Sequence, residues 1–329
     1  MAIHMRDIIV IGASAGGLEP LKQLVSELPP NFPAAIFVVL HMPATSISRL
    51  PEILSNTGPL PASHPPDGNR IRHGHVYVAP PDQHLLINDG HIQLSLAPKE
   101  NRARPAINPL FRSAAWAYGP RVVGVVLSGT LDDGTAGLWE IKQCGGKAIV
   151  QDPKEAQFSD MPQNALEHVP IDYVMPSRGL AALLIDLVGQ PAGLPSQQEE
   201  NMKDFQLTDL TCPDCRGPIS ESSKGIKEYR CRVGHRYSPE MYLAVQEETQ
   251  ERTLWAAVLA LEEGAKVARE VSTQSNPAKR RYEQEAENKV YAAGKIRDLI
   301  AFLTKAHSDH LTQETQPNSV DGEADESAT

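Results

Sequence analysis

The sequence predicts an α/β fold: a doubly wound, mostly parallel sheet with helices on both faces, followed by a small metal-stapled knuckle and a C-terminal α-helical hairpin. Short apolar runs alternate with helical patterns over the first 188 residues, which is typical of parallel strands joined by crossover helices. Three cysteines and a histidine then cluster, and apolar residues at helical spacing follow. The expected parts are an α/β domain over 1–188, a linker over 189–208, a knuckle over 209–237, a helical hairpin over 238–307 and a disordered acidic tail over 308–329.

The first strand, turn and helix carry a serine at an informative position. The apolar run 7–11 predicts a strand, the segment 12–17 is glycine-rich and contains Ser14, and residues 18–28 have a helical pattern. The Gly-x-Ser-x-Gly spacing indicates a nucleophile elbow, which exposes a serine hydroxyl above a helix N-terminus. By itself the segment also fits a phosphate-binding loop or a plain turn, and these alternatives stay open at this point.

Two later strands end in a histidine and in a pair of aspartates. His41 follows the apolar run 35–40, where a dinucleotide-binding unit would have an acidic residue. The pair Asp132 and Asp133 follows the run 122–127 and precedes a predicted helix over 135–144. The carboxyl ends of parallel strands meet at one edge of the sheet, so Ser14, His41 and one aspartate are candidates for nucleophile, general base and orienting acid. The other aspartate is expected to cap the helix.

The order of these residues along the chain differs from that of ordinary α/β-hydrolases. Here the order is Ser, His, Asp, whereas those enzymes have Ser, Asp, His. The elbow also follows the first strand rather than a middle one. Both differences argue against a lipase or esterase of the usual fold.

Residues 7–188 contain a set of short segments in a characteristic order: Ile11–Gly17, Leu40–Pro43, Val76–Pro80, Arg104–Pro105, Leu110–Ser113, Leu127–Gly129, Asp133–Gly134, Gln151–Pro153 and Met161–Pro162. In number and order they resemble the catalytic domain of the CheB-type protein-glutamate methylesterases of bacterial chemotaxis. The resemblance implies that Ser14 is the nucleophile, His41 the base and Asp133, rather than Asp132, the orienting acid. It also implies a cofactor-free serine hydrolase that demethylates glutamate esters on a helical region of a methylated receptor or sensor protein, and that could deamidate glutamine.

The sequence departs from the family's pattern at two places beside these motifs. The family usually has threonine where this chain has Ala15, and it often has Met-Gly-Asn where this chain has Thr130, Leu131 and Asp132. Well-known members also carry a phosphorylatable receiver domain ahead of the esterase, whereas only 13 residues precede Ser14 here. We therefore expect a receiver-less form that is controlled, if at all, by a separate receiver or kinase.

Composition excludes several classes of partner. The 31 basic and 41 acidic residues give a formal net charge of −10, which argues against nucleic acid and against anionic membranes. No apolar stretch approaches the roughly 20 residues of a membrane span, so no direct membrane insertion is expected. The N-terminus is no signal peptide and cysteines are sparse, which together predict a cytoplasmic protein.

The cysteine spacing predicts a metal site. Cys212 and Cys215 form one Cys-x-x-Cys turn, and Cys231 and His235 form a second paired-ligand turn, with fifteen residues between Cys215 and Cys231. A structural Zn²⁺ is the favoured occupant, and a redox-active thiol pair is the main rival. Four protein ligands would close the site, so we expect the metal to be dispensable for catalysis.

The C-terminal periodicity predicts two antiparallel helices. Ser238 and Pro239 form a helix start, and stripes of apolar residues follow on both sides of a break over 272–277. The hairpin could simply pack on itself or could dock a helical partner. Two other functions also stay open: a partner-binding signalling module with a relic esterase domain, and a nucleotide-binding protein that uses Gly12–Gly17.

Overall fold

A computed structural model describes residues 5–193, 205–223, 225–274 and 278–314. The chain divides into two compact units, residues 1–244 and residues 245–329, which are described separately. No helix among the described residues combines the length and the apolar character needed to cross a membrane.

A seven-stranded parallel sheet forms the centre of the first unit, in the order β3-β4-β2-β1-β7-β8-β9. The predicted α/β fold class is therefore confirmed. A separate antiparallel hairpin consists of β5 and β6. The strands are β1 Ile8–Ala13, β2 Ala35–Leu40, β3 Ala62–Ser63, β4 His75–Val78, β5 His84–Asn88, β6 His91–Ser95, β7 Val122–Val126, β8 Lys147–Gln151 and β9 Tyr173–Met175.

Helices cover both faces of this sheet, and each face has its own apolar core. One core packs three helices against residues such as Val10 and Phe37, and the other packs three helices against residues such as Ile9 and Ile11. Successive residues of β1 thus face opposite cores, because side chains alternate along a strand. The helices are α1 Leu18–Ser26, α2 Leu50–Thr57, α3 Ile107–Tyr118, α4 Thr135–Gln143, α5 Asp160–His168 and α6 Ser177–Val188.

The direction of winding reverses at β1, and this reversal determines where the site lies. From β1 the chain passes to β2 on one side, and it later returns to β7 on the other side. The crevice beyond the carboxyl ends of these three strands is the usual ligand site of an open α/β sheet.

A four-stranded antiparallel sheet, which we call the ribbon, follows the described part of the linker. It consists of β10 Phe205–Thr211, β11 Pro218–Ser222, β12 Tyr229–Cys231 and β13 Arg236–Tyr237. It begins at residue 205, four residues before the knuckle boundary expected from the sequence, because residues 205–207 pair with β11. Its small core contains Cys212, Ile219, Cys231, Tyr237 and Tyr242.

Two long helices follow, α7 Pro239–Gln274 and α8 Lys279–Glu314, and most of both belongs to the second unit. Val258 packs near Ala293, and Ala265 packs near Ala286, so the two helices run antiparallel. Val290 lies at helical spacing with Ala286 and Ala293 in the sequence, but its side chain is 43% exposed. The helix α8 extends past residue 307 to Glu314, and the rest of the expected tail, 315–329, lies outside the described residues.

Candidate active site

Ser14 lies directly after β1 on a tight turn. Gly16 has a φ of 72°, and a Cβ there would come within 2.7 Å of the Ser128 hydroxyl, so the turn requires glycine. The Gly17 N–H donates to the Ser14 carbonyl at 3.0 Å, and the Ser14 N–H donates to the Ser128 carbonyl at 3.0 Å. These contacts place the Ser14 side chain at the carboxyl edge of the sheet.

His41, the residue after β2, joins Ser14 to Asp133. Its Nδ1 lies 3.2 Å from Ser14 Oγ, and its Nε2 lies 2.8 Å from Asp133 Oδ2. A carboxylate oxygen can only accept, so Nε2 carries the proton and Nδ1 has a lone pair directed at the serine. The His41 side chain is 22% exposed, whereas Asp133 is 3% exposed. The imidazole is therefore reachable from outside while the acid behind it is shielded.

Asp133 is held by the N-terminus of α3. Its Oδ2 accepts from the Ile107 N–H at 2.7 Å, and its Oδ1 accepts from the Asn108 N–H at 3.3 Å. The helix comes this close because Gly12 has no side chain: a Cβ there would lie 2.4 Å from Ile107 Cγ2. Backbone N–H groups and the positive end of the helix dipole both favour a carboxylate.

The environment of Asp133 favours its charged form despite its burial. Burial raises the pKa of the Asp133 carboxyl, but the hydrogen bond and charge of His41 and the two backbone N–H groups lower it by more. The pKa therefore lies below its usual value, and the group is ionised at neutral pH.

Asp132 points away from His41. Its Oδ1 accepts from the Ser238 hydroxyl at 2.8 Å, and the side chain is buried. Burial, together with the neighbouring charges of Glu240 and Asp133, raises the pKa of Asp132 to about 7, and the Ser238 hydrogen bond opposes this shift. Sequence reasoning expected one of the two aspartates to cap α4, and that expectation was wrong. Instead, Asn108 Oδ1 accepts from the N–H groups of Gly134 and Gly137 at 3.1 and 2.8 Å.

Backbone N–H groups beside the serine are available for an incoming oxygen atom. The N–H of Ala15 has no hydrogen-bond acceptor within the described residues. The residue after a nucleophile supplies this group in the elbow geometry. The loop after β7 also passes the serine, since the Ser128 hydroxyl donates to the Ala15 carbonyl at 2.8 Å.

Four residues near the site were missed by sequence reasoning as contributors to it: Asn101, Asn108, Ser128 and Ser238. Ser238 was recognised only as a helix start, and it does cap α7, because its Oγ accepts from the Met241 N–H at 3.1 Å. Ser128 belongs to the segment Leu127–Gly129 that matches the family, but its contacts were not predicted. Asn101 and Asn108 carry no local pattern that would identify them. The roles of all three depend on contacts with residues 20 or more positions away.

The four metal-ligand candidates converge within the ribbon. One ligand atom from each of Cys212, Cys215, Cys231 and His235 lies within 4.8 Å of every other. The separations Cys215 Sγ–Cys231 Sγ, Cys231 Sγ–His235 Nδ1 and Cys212 Sγ–His235 Nδ1 are 3.6, 3.5 and 3.8 Å. Ligand atoms on a tetrahedral zinc ion lie about 3.5 to 3.8 Å apart, so these residues fit that metal. The sulfur atoms are too far apart for a disulfide, in which the bond is about 2.05 Å.

The ribbon packs against the α/β domain beside the candidate active site. Arg112 of α3 pairs with Glu100 at 2.6 Å and with Glu228 of the ribbon at 3.6 Å. Arg236 of β13 pairs with the same two acids at 3.7 and 3.6 Å. Cations and acids thus alternate around one cluster, which joins the ribbon to the domain.

Comparison with known proteins relates the α/β domain to one family. The sequence model of the CheB methylesterase family matches residues 9–184. A putative protein-glutamate methylesterase/protein-glutamine glutaminase of Leptospira interrogans is 38% identical over 182 residues, covering 55% of this chain and 94% of that protein. A protein-glutamate methylesterase/protein-glutamine glutaminase of Thermotoga maritima is 36% identical over 185 residues, covering 55% of this chain and 54% of that protein.

A solved structure shows the same fold. The crystal structure of the Thermotoga maritima CheB methylesterase catalytic domain superposes with a TM-score of 0.53 and 36% identity. The match covers 98% of that structure and 55% of this chain. The ribbon and the two long helices lie beyond the residues that the family model matches.

Proposed function

Since the chain belongs to the CheB methylesterase family, we propose that it is a serine hydrolase that demethylates glutamate methyl esters on a signalling protein, with Ser14, His41 and Asp133 as its catalytic triad. The observation that carries this proposal is the double contact of His41, 3.2 Å to the serine hydroxyl and 2.8 Å to a buried carboxylate. A hydroxyl, an imidazole and a carboxylate joined in this way activate the hydroxyl for attack on an acyl carbon.

In the first half of the reaction, Nδ1 of His41 takes the hydroxyl proton as Ser14 Oγ attacks the ester carbonyl. The ionised Asp133 stabilises the imidazolium that forms and keeps its Nε2–H in place. The N–H of Ala15 is the proposed donor to the oxyanion, since it is the residue after the nucleophile. His41 then returns the proton to the leaving oxygen, the carbon–oxygen bond of the ester breaks, and methanol departs.

In the second half, water replaces methanol. His41 removes a proton from water, the resulting hydroxide attacks the glutamyl ester of Ser14, and the serine oxygen regains the proton. The products are a free glutamate carboxylate and the original enzyme. Glutamine could enter the same cycle, because only the leaving group changes from methanol to ammonia.

We propose that the substrate is a helical region of a chemoreceptor-like protein and that the enzyme works in the cytoplasm. A separate receiver or kinase is the proposed source of control. The exposure of His41 supports a macromolecular substrate, since a side chain presented by another protein can reach the base. The net charge of −10 gives no support to nucleic acid as a partner.

We further propose that Cys212, Cys215, Cys231 and His235 hold one structural Zn²⁺. Three thiolates and an imidazole at tetrahedral spacing form a closed donor set for this ion. Bound metal would stabilise a ribbon whose apolar core is too small to fold on its own.

The decisive experiment measures methanol release from a peptide with a glutamate γ-methyl ester, using the full chain and Ser14→Ala. Mass spectrometry of cell proteins would in parallel identify the substrate, as the protein whose glutamate methylation rises with Ser14→Ala. A wild-type chain that releases no methanol from any methylated receptor would favour the relic-esterase alternative. Saturable binding of a dinucleotide that depends on Gly12–Gly17 would favour the nucleotide-binding alternative.

A further inference from the structure

We infer that Asn101 and Ser238 are positioning residues through which the ribbon holds the Asp133 carboxylate against His41, so that the metal-bearing ribbon is part of the active site. This inference rests on the proposed function, since it assigns a role to groups around the proposed triad. It also reverses the sequence-based expectation that the metal is dispensable for catalysis.

The last strand of the ribbon is joined to the loop that carries Asn101. The Asn101 N–H donates to the Arg236 carbonyl at 2.9 Å, and the Arg236 N–H donates to the Lys99 carbonyl at 3.4 Å. Between these two bonds, Glu100 enters the ion-pair cluster with Arg112 and Arg236. The loop and the ribbon therefore move together.

Burial makes this junction specific. Arg112 and the ribbon residue Glu228 have side chains 8% and 5% exposed. A buried charge that loses its partner is strongly destabilising, so other arrangements of the ribbon on this surface are disfavoured.

Asn101 links Ser238 to the acid. Its Oδ1 accepts from the Ser238 N–H at 3.0 Å, and its Nδ2 donates to Asp133 Oδ1 at 3.4 Å. The Ser238 N–H can only donate, so it determines which end of the amide faces the ribbon and leaves the NH₂ end for the carboxylate. Asn101 also has a φ of 48°, a conformation that asparagine tolerates better than most residues.

This link determines which oxygen of Asp133 faces the base. Oδ1 receives Asn101 Nδ2 and the Asn108 N–H, whereas Oδ2 receives the Ile107 N–H and His41 Nε2. Donors on Oδ1 prevent rotation of the carboxylate and keep Oδ2 aligned with the imidazole. Without Asn101, Oδ1 keeps only the Asn108 N–H, at 3.3 Å.

Ser238 also contacts directly the loop that carries Asp133. Its hydroxyl donates to Asp132 Oδ1 at 2.8 Å and accepts from the Met241 N–H at 3.1 Å. Asp132 is the covalent neighbour of the catalytic acid, so this bond holds the backbone on which Asp133 sits. Ser238, the residue after β13, thus contacts both Asn101, which donates to Asp133, and Asp132, the chain neighbour of Asp133.

The metal-ligand turn ends next to these contacts. His235 lies three residues before Ser238, and the intervening Tyr237 is 1% exposed within the ribbon core beside Cys212. A metal that joins His235 to the three cysteines holds the start of β13 in place. Loss of the metal releases this segment, and with it the restraint on Asn101 and Ser238.

The test uses the full chain and a peptide with a glutamate γ-methyl ester. Asn101→Asp keeps the size, the tolerance of positive φ and the acceptor for Ser238. It replaces the NH₂ donor to Asp133 with a carboxyl oxygen, which repels Asp133 Oδ1. Ser238→Ala removes the hydroxyl and keeps the backbone N–H, and Ser238→Thr restores the hydroxyl. Matched controls are Asn69→Ala in an exposed loop and Ser220→Ala on β11 of the ribbon.

We expect kcat to fall about 10- to 100-fold in Asn101→Asp, because small misplacements of a catalytic group have effects of this size. KM should change less than twofold, and Ser238→Thr should recover the activity that Ser238→Ala loses. The proton on His41 Nε2 gives a downfield NMR signal when it is bound to the carboxylate. This signal should weaken or shift in Asn101→Asp and stay unchanged in the controls.

The contribution of the metal is tested by comparing the effect of metal removal in wild type with its effect in a variant that lacks both positioning groups. Stripping metal from wild-type protein with a chelator should lower kcat and alter the His41 signal, and added Zn²⁺ should restore both. In Asn101→Asp/Ser238→Ala, the same treatment should cause little further loss, because effects on one connected path are not additive.

The outcomes distinguish a failure of the positioning role from a failure of the proposed function. If Asn101→Asp and Ser238→Ala keep wild-type kcat and the wild-type NMR signal while Ser14→Ala is inactive, the positioning inference is wrong and the proposed function stands. If Ser14→Ala remains active, the proposed function itself fails. Equal loss on metal removal in wild type and in the double variant would also overturn the inference.

Discussion

Asp132 and Asp133 are neighbours in the chain, but their carboxylates serve opposite sides of one loop. Asp133 accepts from His41 Nε2 at 2.8 Å, whereas Asp132 accepts from the Ser238 hydroxyl at 2.8 Å. Their pKa values move apart accordingly: that of Asp133 is lowered, and that of Asp132 is raised to about 7. Two adjacent and chemically identical buried side chains thus ionise at different pH, because only Asp133 has partners that outweigh the effect of burial.

Replacement of Ser14 by alanine should abolish demethylation. The change removes only the nucleophile, so the rate should fall about ten-thousandfold or more while the circular dichroism spectrum and melting temperature stay close to wild type. Methanol release from the methylated peptide measures the effect. Ser46→Ala, which removes a hydroxyl from an exposed loop, is the control. Residual activity within tenfold of wild type would contradict the assignment of Ser14.

Asp133→Asn should be far more damaging than Asp132→Asn. An amide at 133 no longer selects the His41 tautomer with a free Nδ1, and the equivalent change in a known triad costs about ten-thousandfold in kcat. An amide at 132 can still accept from Ser238. The kcat of Asp132→Asn should therefore fall no more than about tenfold, because this change at most shifts the position of Asp133 and leaves its charge intact. Comparison of kcat for the two variants decides the matter, and the reverse ranking would mean that Asp132 is the orienting acid.

Stability should depend on pH through Asp132. Its folded pKa is about 7 and its unfolded value is near 3.8, so the folded state binds the extra proton between these limits. The associated stability is present below pH 4 and is lost as the pH rises through 7. Asn cannot ionise, so Asp132→Asn should gain stability relative to wild type between pH 5 and pH 8.

Denaturant titrations of both proteins at the two pH values measure this gain in the free energy of unfolding. Glu240 and Asp133 also raise the pKa of Asp132, so Glu240→Gln should reduce the pH dependence without removing it. A difference between Asp132→Asn and wild type that does not change with pH would contradict the prediction.

Asn108→Ala should destabilise the first unit. The Asn108 amide oxygen accepts from the buried N–H groups of Gly134 and Gly137, and two unsatisfied donors cost about 2–6 kcal/mol. Asn69→Ala removes an amide from an exposed loop and should change the free energy of unfolding by less than about 0.5 kcal/mol. Similar stability losses in the two variants would show that the α4 cap is unimportant.

Each chain should bind one Zn²⁺ through the ribbon. Metal analysis should give one equivalent for wild type and a large loss for Cys212→Ser or Cys231→Ser, because three donors no longer close the tetrahedron. The matched control is Cys144→Ser, which changes a buried cysteine at the end of α4. Full zinc content in Cys212→Ser, or loss in Cys144→Ser, would show that the metal is held elsewhere.

Much of the fold was predictable because its signals are local. The strand over 35–40 agrees with the structure at both ends, and the first strand was predicted over 7–11 but runs from Ile8 to Ala13. Apolar runs of this kind predict buried parallel strands well, since both faces of the sheet are covered. Boundaries near glycine are harder to predict: Gly12 reads as part of a turn in the sequence, but it completes the pairing of β1 with β2 and β7.

The residues of the candidate site also divide into those with a local sequence signal and those without one. The structure brings Ser14, His41 and Asp133 together, and these candidates could be predicted because each follows a recognisable strand. The four candidate metal ligands could be predicted because their spacing is regular. Asn101 and Asn108 were not found, since nothing in their local sequence distinguishes them from ordinary loop or helix residues. Asn101 contacts Ser238, which is 137 residues away along the chain, and Asn108 contacts Gly134, which is 26 residues away.

The sequence by itself determined the α/β fold class, the three strand ends that carry the serine, histidine and acid, and the Cys₃His set that could hold a metal ion. These features follow from local spacing and from the geometry of parallel strands, which places successive carboxyl ends at one edge. The resemblance had already pointed to Asp133 as the acid beside His41. Only the tertiary structure decided that Asp132 meets Ser238, that Asn108 rather than an aspartate caps α4, and that the ribbon packs beside Asp133. Those outcomes depend on distant polar groups that must pair when they are buried together, and a linear sequence does not reveal which groups will meet.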